Sequence, residues 1–464
     1  MNCKLLKHND KMEEECGVFG IYSVEEKPVS KLTYYGLFAL QHRGQESSGM
    51  SVSNFGKIKT YKDMGITPHV FDDKILNDLV GNSAIGHVRY STCGDSSVEN
   101  AQPLANHTKL GDLAIAHNGT LVNSNAIRDL LEETGATFNT TIDSEVILKL
   151  ISRKAIHGLE KAIVDTVNLV QGAYAVVILV NNKLIGIRDP FGIRPLSIGQ
   201  MDDGTYILSS ESCAIDAVGG TLVRDLKPGE MVIIDETGLK SIQYAEDTNE
   251  APCSFEYIYF ARPDSRIAGL SVYEARHNAG KKLYEQKPIE ADLVIGVPDS
   301  GIPSAIGYAE ASGIPYGIGF IKNKYVARTF IAPTQELREK AVGIKLNVIK
   351  ENIEGKRVVV IDDSIVRGTT SKKLVDLLRN AGAKEVHFRS ASPAVKYPCY
   401  FGIDTAHRNE LIASQMTNEE VCDLIGADTL DFLSIDNLVK SLNNKKYCLG
   451  CFDGKYPVYA PMGQ

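Results

Sequence analysis

The run 357–371, Arg-Val-Val-Val-Ile-Asp-Asp-Ser-Ile-Val-Arg-Gly-Thr-Thr-Ser, restricts the fold more than any other stretch of this chain. Val358, Val359, Val360 and Ile361 are consecutive apolar, β-branched residues, the pattern of a strand covered on both faces in a parallel sheet. The strand ends on two adjacent carboxylates, Asp362 and Asp363. Beyond them Ser364, Thr369, Thr370 and Ser371 offer hydroxyls, Gly368 lets a ligand approach the backbone, and Leu374, Leu377 and Leu378 fall at helical spacing. The first N–H groups of such a helix have no partner within it and face an anion. Taken alone, the paired acids fit an ordinary strand-to-helix turn, or a phosphatase or receiver-type magnesium site.

The complete run resembles the ribose-phosphate loop of type I phosphoribosyltransferases, which bind phosphoribosyl pyrophosphate. The resemblance implies that Asp362 and Asp363 hold the ribose hydroxyls and help to place magnesium. It also implies that Ser364, Arg367, Gly368, Thr369, Thr370 and Ser371 bind the 5-phosphate. A second anchor is expected where a strand over 292–297 opens into Pro298-Asp299-Ser300-Gly301. Asp-Ser-Gly after a strand is often only a turn; beside the first loop its N–H groups suit a pyrophosphate, with Ser300 touching the metal and Gly301 leaving room for phosphates. Between the anchors, residues 322–330 concentrate positive charge. Basic loops are usually solvated, but here the expectation is a lid that aims Lys322 and Arg328 at phosphate and shuts out water.

At 464 residues the chain is long for a single core, so two domains are expected. A formal charge of −8 argues against a general nucleic-acid or membrane surface and leaves phosphate binding to local loops. No apolar run is long enough to cross a bilayer, and residues 1–15 are polar without the apolar centre of a secretory signal. The expected location is therefore cytoplasmic, and the nine cysteines read as thiols, nucleophiles or metal ligands rather than disulfides.

Cys16 opens Cys16-Gly17-Val18-Phe19-Gly20-Ile21, the start of a strand, where a cysteine is ordinarily a small buried hydrophobe. Cleavage before it would free an α-amine, of pKa roughly 7.7–8.0, to act as general base for its thiol. Three later segments bear on that choice: Gln41-His42-Arg43-Gly44-Gln45, Gly86-His87-Val88-Arg89-Tyr90-Ser91-Thr92, and Ala114-Ile115-Ala116-His117-Asn118-Gly119. Each has an ordinary reading: Arg43 and Arg89 as surface charges, Asn118-Gly119 as a hairpin turn, Asp143 as the cap of a helix running to Ile151.

In this order after Cys16, the segments resemble the glutaminase domain of the class II amidotransferases, which are N-terminal-nucleophile hydrolases. The resemblance spans about half the chain. It implies that Cys16 is the nucleophile and its amine the base, that Arg89 and Thr92 hold the glutamine carboxylate, and that Asp143 holds its ammonium group. Asn118 and the N–H of Gly119 would form the oxyanion hole, and residues 1–15 would be a propeptide removed at Glu15-Cys16. Further strands are expected over 173–180, 183–187 and 205–210, Arg188 to Leu196 reads as a rigid turn, and Ser209-Ser210-Glu211-Ser212 as architecture. The polar run 246–250 is the expected domain boundary.

Cys448-Leu449-Gly450-Cys451 is equally a redox motif or half of a structural zinc site. With the segment around Cys399 it resembles the iron–sulfur form of the glutamine phosphoribosylpyrophosphate amidotransferase family. On that likeness Cys253, Cys399, Cys448 and Cys451 hold one structural [4Fe–4S] cluster, with zinc as the alternative. Cys3, Cys93, Cys213 and Cys422 are left as ordinary thiols.

The resemblance implies an N-terminal αββα-sandwich hydrolase domain over 16–245, a type I phosphoribosyltransferase α/β domain with a parallel sheet over 253–440, and a cluster-binding tail over 441–464. It further implies glutamine and phosphoribosyl pyrophosphate as substrates, magnesium as cofactor, purine nucleotides as inhibitors and a homotetramer. Two alternatives remain open. Another class II amidotransferase, such as one joined to a sugar-phosphate isomerase, would lack the 361–364 loop. A phosphoribosyl-pyrophosphate-sensing regulator would have no use for Cys16, Asn118 and Asp143.

Overall fold

The computed structural model describes residues 16–25, 27–90, 95–323, 346–403, 405 and 407–459. Alternation builds its first half. In the strand Gly172–Val180, Tyr174, Val176, Ile178 and Val180 pack towards helices Ser124–Glu133, Ser144–Lys154 and Leu159–Val167. Ala175, Val177 and Leu179 point the other way, onto Val18, Ile85 and Leu208 of a second sheet. The strand Gly17–Tyr22 repeats the logic: Val18 and Tyr22 face the space between the sheets, while Phe19 and Ile21 pack beneath the helix Val29–Ala39. Successive strand residues lie on opposite faces, so strands apolar at every position need cover on both sides. The outcome is the expected αββα sandwich.

Both sheets are antiparallel. The seven-stranded one runs Thr221–Asp225, Ser197–Gln200, Tyr206–Ser209, Gly17–Tyr22, Ser83–Arg89, Ser47–Asn54 and Lys57–Met64. The six-stranded one runs Gly238–Gln243, Glu230–Asp235, Lys183–Arg188, Gly172–Val180, Gly111–Leu121 and Leu104–Thr108.

The second half is built on a parallel sheet, in the order Leu293–Gly296, Arg357–Asp362, Glu385–Ser390 and Thr429–Phe432. Val359 and Ile361 pack towards helices Val272–Gln286 and Ile302–Ser312, and Val358 and Val360 towards Thr369–Asn380 and Asn418–Ile425. Parallel strands finish at one edge, and the pairing of Gly296 with Ile361 sets the loops after these two strands side by side. That edge is where open parallel sheets bind ligands. Among the described residues no helix is long and apolar enough to cross a membrane.

The strands expected over 173–180, 183–187, 205–210, 292–297 and 358–361 all form, with ends displaced by a residue or so, where terminal pairing frays. One expectation fails. Asn118-Gly119 is not a turn; it lies inside the strand Gly111–Leu121, opposite Ala175 and Tyr174. Pairing continues through Thr120 and Leu121, so cross-strand bonds override the local turn preference, and Gly119 absorbs the distortion at φ +136°.

Helices Val272–Gln286 and Ile302–Ser312 touch backbone to backbone. A Cβ on Gly280 would sit 1.8 Å from the carbonyl oxygen of Ser304, and one on Gly307 would sit 1.9 Å from that of His277. Gly280→Ala is therefore expected to lower stability by about 1–3 kcal/mol, the usual cost of overpacking, read as a lower urea midpoint at unchanged slope.

Candidate active site

The Cys16 thiol lies immediately before the strand Gly17–Tyr22 and donates to the carbonyl oxygen of Tyr90 at 3.4 Å. Burial pushes that thiol up to about 12, against the pull of Arg89, so near neutrality it carries its proton and needs a base. Glu46, Asp143 and Arg43 also act on it electrostatically, so Arg89 and Asp143, both expected from sequence, lie near the thiol.

Arg89 ends the strand Ser83–Arg89 and is almost fully buried, its Nη1 donating to Glu46 Oε1 at 2.6 Å and to the carbonyl oxygen of Asp95 at 3.3 Å. A substrate carboxylate held there would share the guanidinium with Glu46. Thr92 lies outside the described residues.

Asp143 sits at the start of the helix Ser144–Lys154 but does not cap its first turn through N2 or N3. Its Oδ2 instead accepts the N–H of Leu121 at 2.9 Å, tying the helix to the strand that carries Asn118 and Gly119. Burial would raise the Asp143 carboxyl; His117 and hydrogen bonds from the Leu121 and Ser144 N–H groups outweigh that and hold it below the usual carboxylate range. The Asn118 side chain is buried, and its Nδ2 has no hydrogen-bond partner among the described residues. An unsatisfied buried amide donor is costly to keep, and it suits an acceptor that arrives only during reaction. Gly119 is obligatory at its position, because a Cβ would lie 2.0 Å from the carbonyl oxygen of Ala173.

At the edge of the parallel sheet Asp362 and Asp363 are both buried. The Asp363 N–H donates to Asp362 Oδ1 at 2.9 Å, Ser364 Oγ donates to Asp363 Oδ1 at 2.7 Å, and Ser300 Oγ donates to Asp363 Oδ2. Ser300 and Asp363 thus meet across the two loops, as a shared site requires. Gly368 adopts φ +82° as the N-cap of the helix Thr369–Asn380, so Thr369, Thr370 and Ser371 occupy its first turn. The Arg367 guanidinium is engaged by Glu410 at 2.7 Å. Gly301 has a reason for its missing side chain beyond phosphate access: a Cβ would lie 2.5 Å from the carbonyl oxygen of Ile361. Lys322, on the short strand Phe320–Lys322, donates to Asp299 Oδ2 at 2.5 Å and so reaches the loop after the first parallel strand. Arg328 falls outside the described residues, as do residues 1–15.

The four cysteines singled out above converge. Cys253 and Cys448 form a parallel bridge, and the Cys451 thiol is driven well upward by burial first and then by Cys253, Cys448 and Cys399. Among the described residues no three His, Cys, Asp or Glu side chains are close enough to hold a single metal ion.

The two sites share a buried, charged junction. Arg43, expected from sequence only as part of a motif, is enclosed between Glu211 Oε1 at 2.6 Å and both oxygens of Glu256 at 2.9 and 2.7 Å. Arg194 donates through Nε to the carbonyl oxygen of Phe401 at 2.9 Å. Sequence reasoning passed over Glu256, Glu46 and His117. The available signal for Glu256 was a lone carboxylate within Phe255-Glu256-Tyr257-Ile258-Tyr259-Phe260, a run otherwise fit only for a core.

Family models agree with this division: a glutamine amidotransferase domain model matches residues 87–217 and a phosphoribosyl transferase domain model matches residues 269–391. The chain is 49% identical to the amidophosphoribosyltransferase of Bacillus subtilis over 96% of its own length and 94% of the relative's. It is also 49% identical to that of Archaeoglobus fulgidus, over 96% and 98%. Among solved structures it superposes on the B. subtilis glutamine phosphoribosylpyrophosphate amidotransferase complexed with ADP and GMP, at TM-score 0.91 and 48% identity, covering 97% of this chain and 99% of that one. A structure titled as the allosteric regulatory enzyme of purine biosynthesis matches at TM-score 0.92 and 49% identity, covering 96% and 97%. At this identity across nearly the whole length, the chain belongs to the amidophosphoribosyltransferase family.

Proposed function

We propose that the two sites perform the two halves of one transfer, the first committed step of purine synthesis. Cys16, deprotonated by its own freed α-amine, attacks the side-chain amide of glutamine. Arg89 and Thr92 hold the substrate's carboxylate and Asp143 its ammonium group. Asn118 Nδ2 and the Gly119 N–H receive the oxyanion, and collapse gives a glutamyl thioester and ammonia. Water then releases glutamate. Ammonia passes inside the protein and displaces pyrophosphate from C1 of phosphoribosyl pyrophosphate, giving 5-phosphoribosylamine. The observation that carries this reading is the buried Asn118 Nδ2, without a partner among the described residues, beside a glycine that admits no side chain.

In the second site the first turn of the helix Thr369–Asn380, with the hydroxyls of Thr369, Thr370 and Ser371, would take the 5-phosphate. Asp362 and Asp363 would orient the ribose hydroxyls, and Ser300 and Lys322 would meet the pyrophosphate. Magnesium keeps much of its shell for water and substrate phosphates, so it needs no protein cage; Asp362, Asp363 and Ser300 would hold it, and it would neutralise the leaving group. Residues 322–330 would close the site against water, with Arg328 on phosphate.

Four thiols gathered in one apolar cluster, with Cys253 bridged to Cys448, would fit a group that draws off negative charge when they ionise. One [4Fe–4S] cluster on Cys253, Cys399, Cys448 and Cys451 suits that set better than zinc, whose ligands sit about 2.3 Å from one ion and would bring sulfurs to single-ion spacing. When bound it would be a cross-link; no step transfers electrons. We further propose removal of residues 1–15, inhibition by purine nucleotides, and a cytoplasmic homotetramer.

Cys16→Ala is expected to abolish glutamine-dependent synthesis while free ammonia still supports it; equal loss of both would refute the division of labour. Asn118→Ala should lower the glutamine-dependent kcat by about 10²–10³. Intact mass should show a chain beginning at Cys16, and protein purified without oxygen should contain iron and acid-labile sulfide, whereas zinc alone would overturn the cluster.

A further inference from the structure

The polar groups buried between the halves exceed what the proposed reaction uses. Arg43 donates through Nε to the carbonyl oxygen of Cys16 at 3.2 Å, while its other nitrogens serve Glu211 and Glu256. Glu211 belongs to the first half, yet it also accepts the N–H of Arg262 at 2.9 Å and the hydroxyl of Ser265 at 2.7 Å from the second. Glu256 opens the π-helical turn Glu256–Phe260. Arg276 secures that turn, donating to the carbonyl oxygens of Tyr257 at 2.7 Å and Ala261 at 2.8 Å. Burial would raise the Glu211 carboxyl, but His42, Arg43 and the hydrogen bond from Ser265 hold it far below the usual carboxylate range, so it stays charged.

We infer that Glu256 is a positioning residue for glutamine hydrolysis: from the second half it orients Arg43, which fixes the carbonyl of Cys16 and hence the place of the nucleophile. The inference rests on the reading of Cys16 as nucleophile. Once residues before Cys16 are gone, nothing covalent restrains its amine side. The Cys16–Gly17 peptide plane then sets the position of Cα and the axis about which thiol and amine turn. Arg43 grips that plane at its oxygen; the strand grips it beyond Gly17, which pairs with Val88. A guanidinium clamped by two carboxylates has one orientation, and removing either leaves it free to tilt. The glutaminase half therefore lacks a complete site unless the second half supplies its carboxylate.

The test uses the full-length, processed protein with phosphoribosyl pyrophosphate present. Glu256→Gln keeps the side-chain shape and removes the charge. It is expected to lower the glutamine-dependent kcat roughly ten- to a hundredfold, the scale of a small misplacement of a reacting group, with KM for glutamine little changed. Ammonia-dependent synthesis, which does not use Cys16, keeps its rate. Arg43→Lys should show the same split, and the double variant should be no slower than Arg43→Lys, because Glu256 acts through Arg43. Equal loss of both activities, an unchanged glutamine kcat, or penalties that multiply in the double variant would each overturn the inference. Should Glu256→Gln not fold, Glu256→Asp, which keeps the charge but shortens its reach to the Arg43 guanidinium, carries the test. A severalfold fall in glutamine kcat alone supports the inference, and no fall overturns it. Failure of the underlying reading looks different: Cys16→Ala would retain glutamine-dependent turnover.

Discussion

Charge buried at the junction holds the two halves in one registry. Arg43, Arg194, Glu211 and Glu256 are all nearly inaccessible, and together they join the Cys16 carbonyl, the Asp189–Leu196 corner, the π-helical turn and the backbone at Phe401. Withdrawing one partner from such a set costs about 3–5 kcal/mol, because a buried charge is left uncompensated. The intact set contributes far less net stability, since desolvation offsets most of the attraction. Apolar faces slide past one another at little cost, whereas a fork that must meet two carboxylates cannot. The reacting groups inherit their relative placement from that rigidity.

Much of the architecture was legible because it follows from period. Val358 to Ile361 are apolar at every position, and both their faces are covered; Gly172–Val180 shows the same rule in an antiparallel sheet. The loop after Asp362 was legible through its glycine and hydroxyls, and Gly368 does take the left-handed conformation that such a turn demands. What escaped was long-range. Asn118-Gly119 reads locally as a hairpin turn, and only pairing with Gly172–Val180, far along the chain, keeps it extended. Glu211 read as architecture and Glu256 was passed over, because nothing near them in sequence announces a guanidinium arriving from Arg43. The partner of a buried charge is fixed by tertiary packing, which local pattern does not encode.

Asp189 shows how a buried acid is satisfied largely by backbone N–H groups, with Arg188 nearby. Its carboxylate accepts N–H groups from Phe191 and Ile193 at 3.0 Å and from Arg194 at 3.2 Å, folding the corner around itself. Burial still raises it above the ordinary carboxylate range. That corner fixes the start of the Arg194 side chain, so the reach of its guanidinium to Phe401 is set by backbone hydrogen bonds around Asp189.

One contact at the junction involves no side chain at all. Gly402, at φ +116°, lies so close to Gly119 that a methyl group built on it would stand 3.2 Å from the Gly119 Cα. Bare backbone meets bare backbone at the proposed oxyanion donor, and the Gly402 side of the contact belongs to the segment that also carries Cys399. Such a joint has no rotamer to absorb a displacement and no soft tip to compress. Bulk at Gly402 would press on the Gly119 backbone as well as on the Arg194 guanidinium, so a change in the cysteine-bearing loop is passed to a strand distant in the chain.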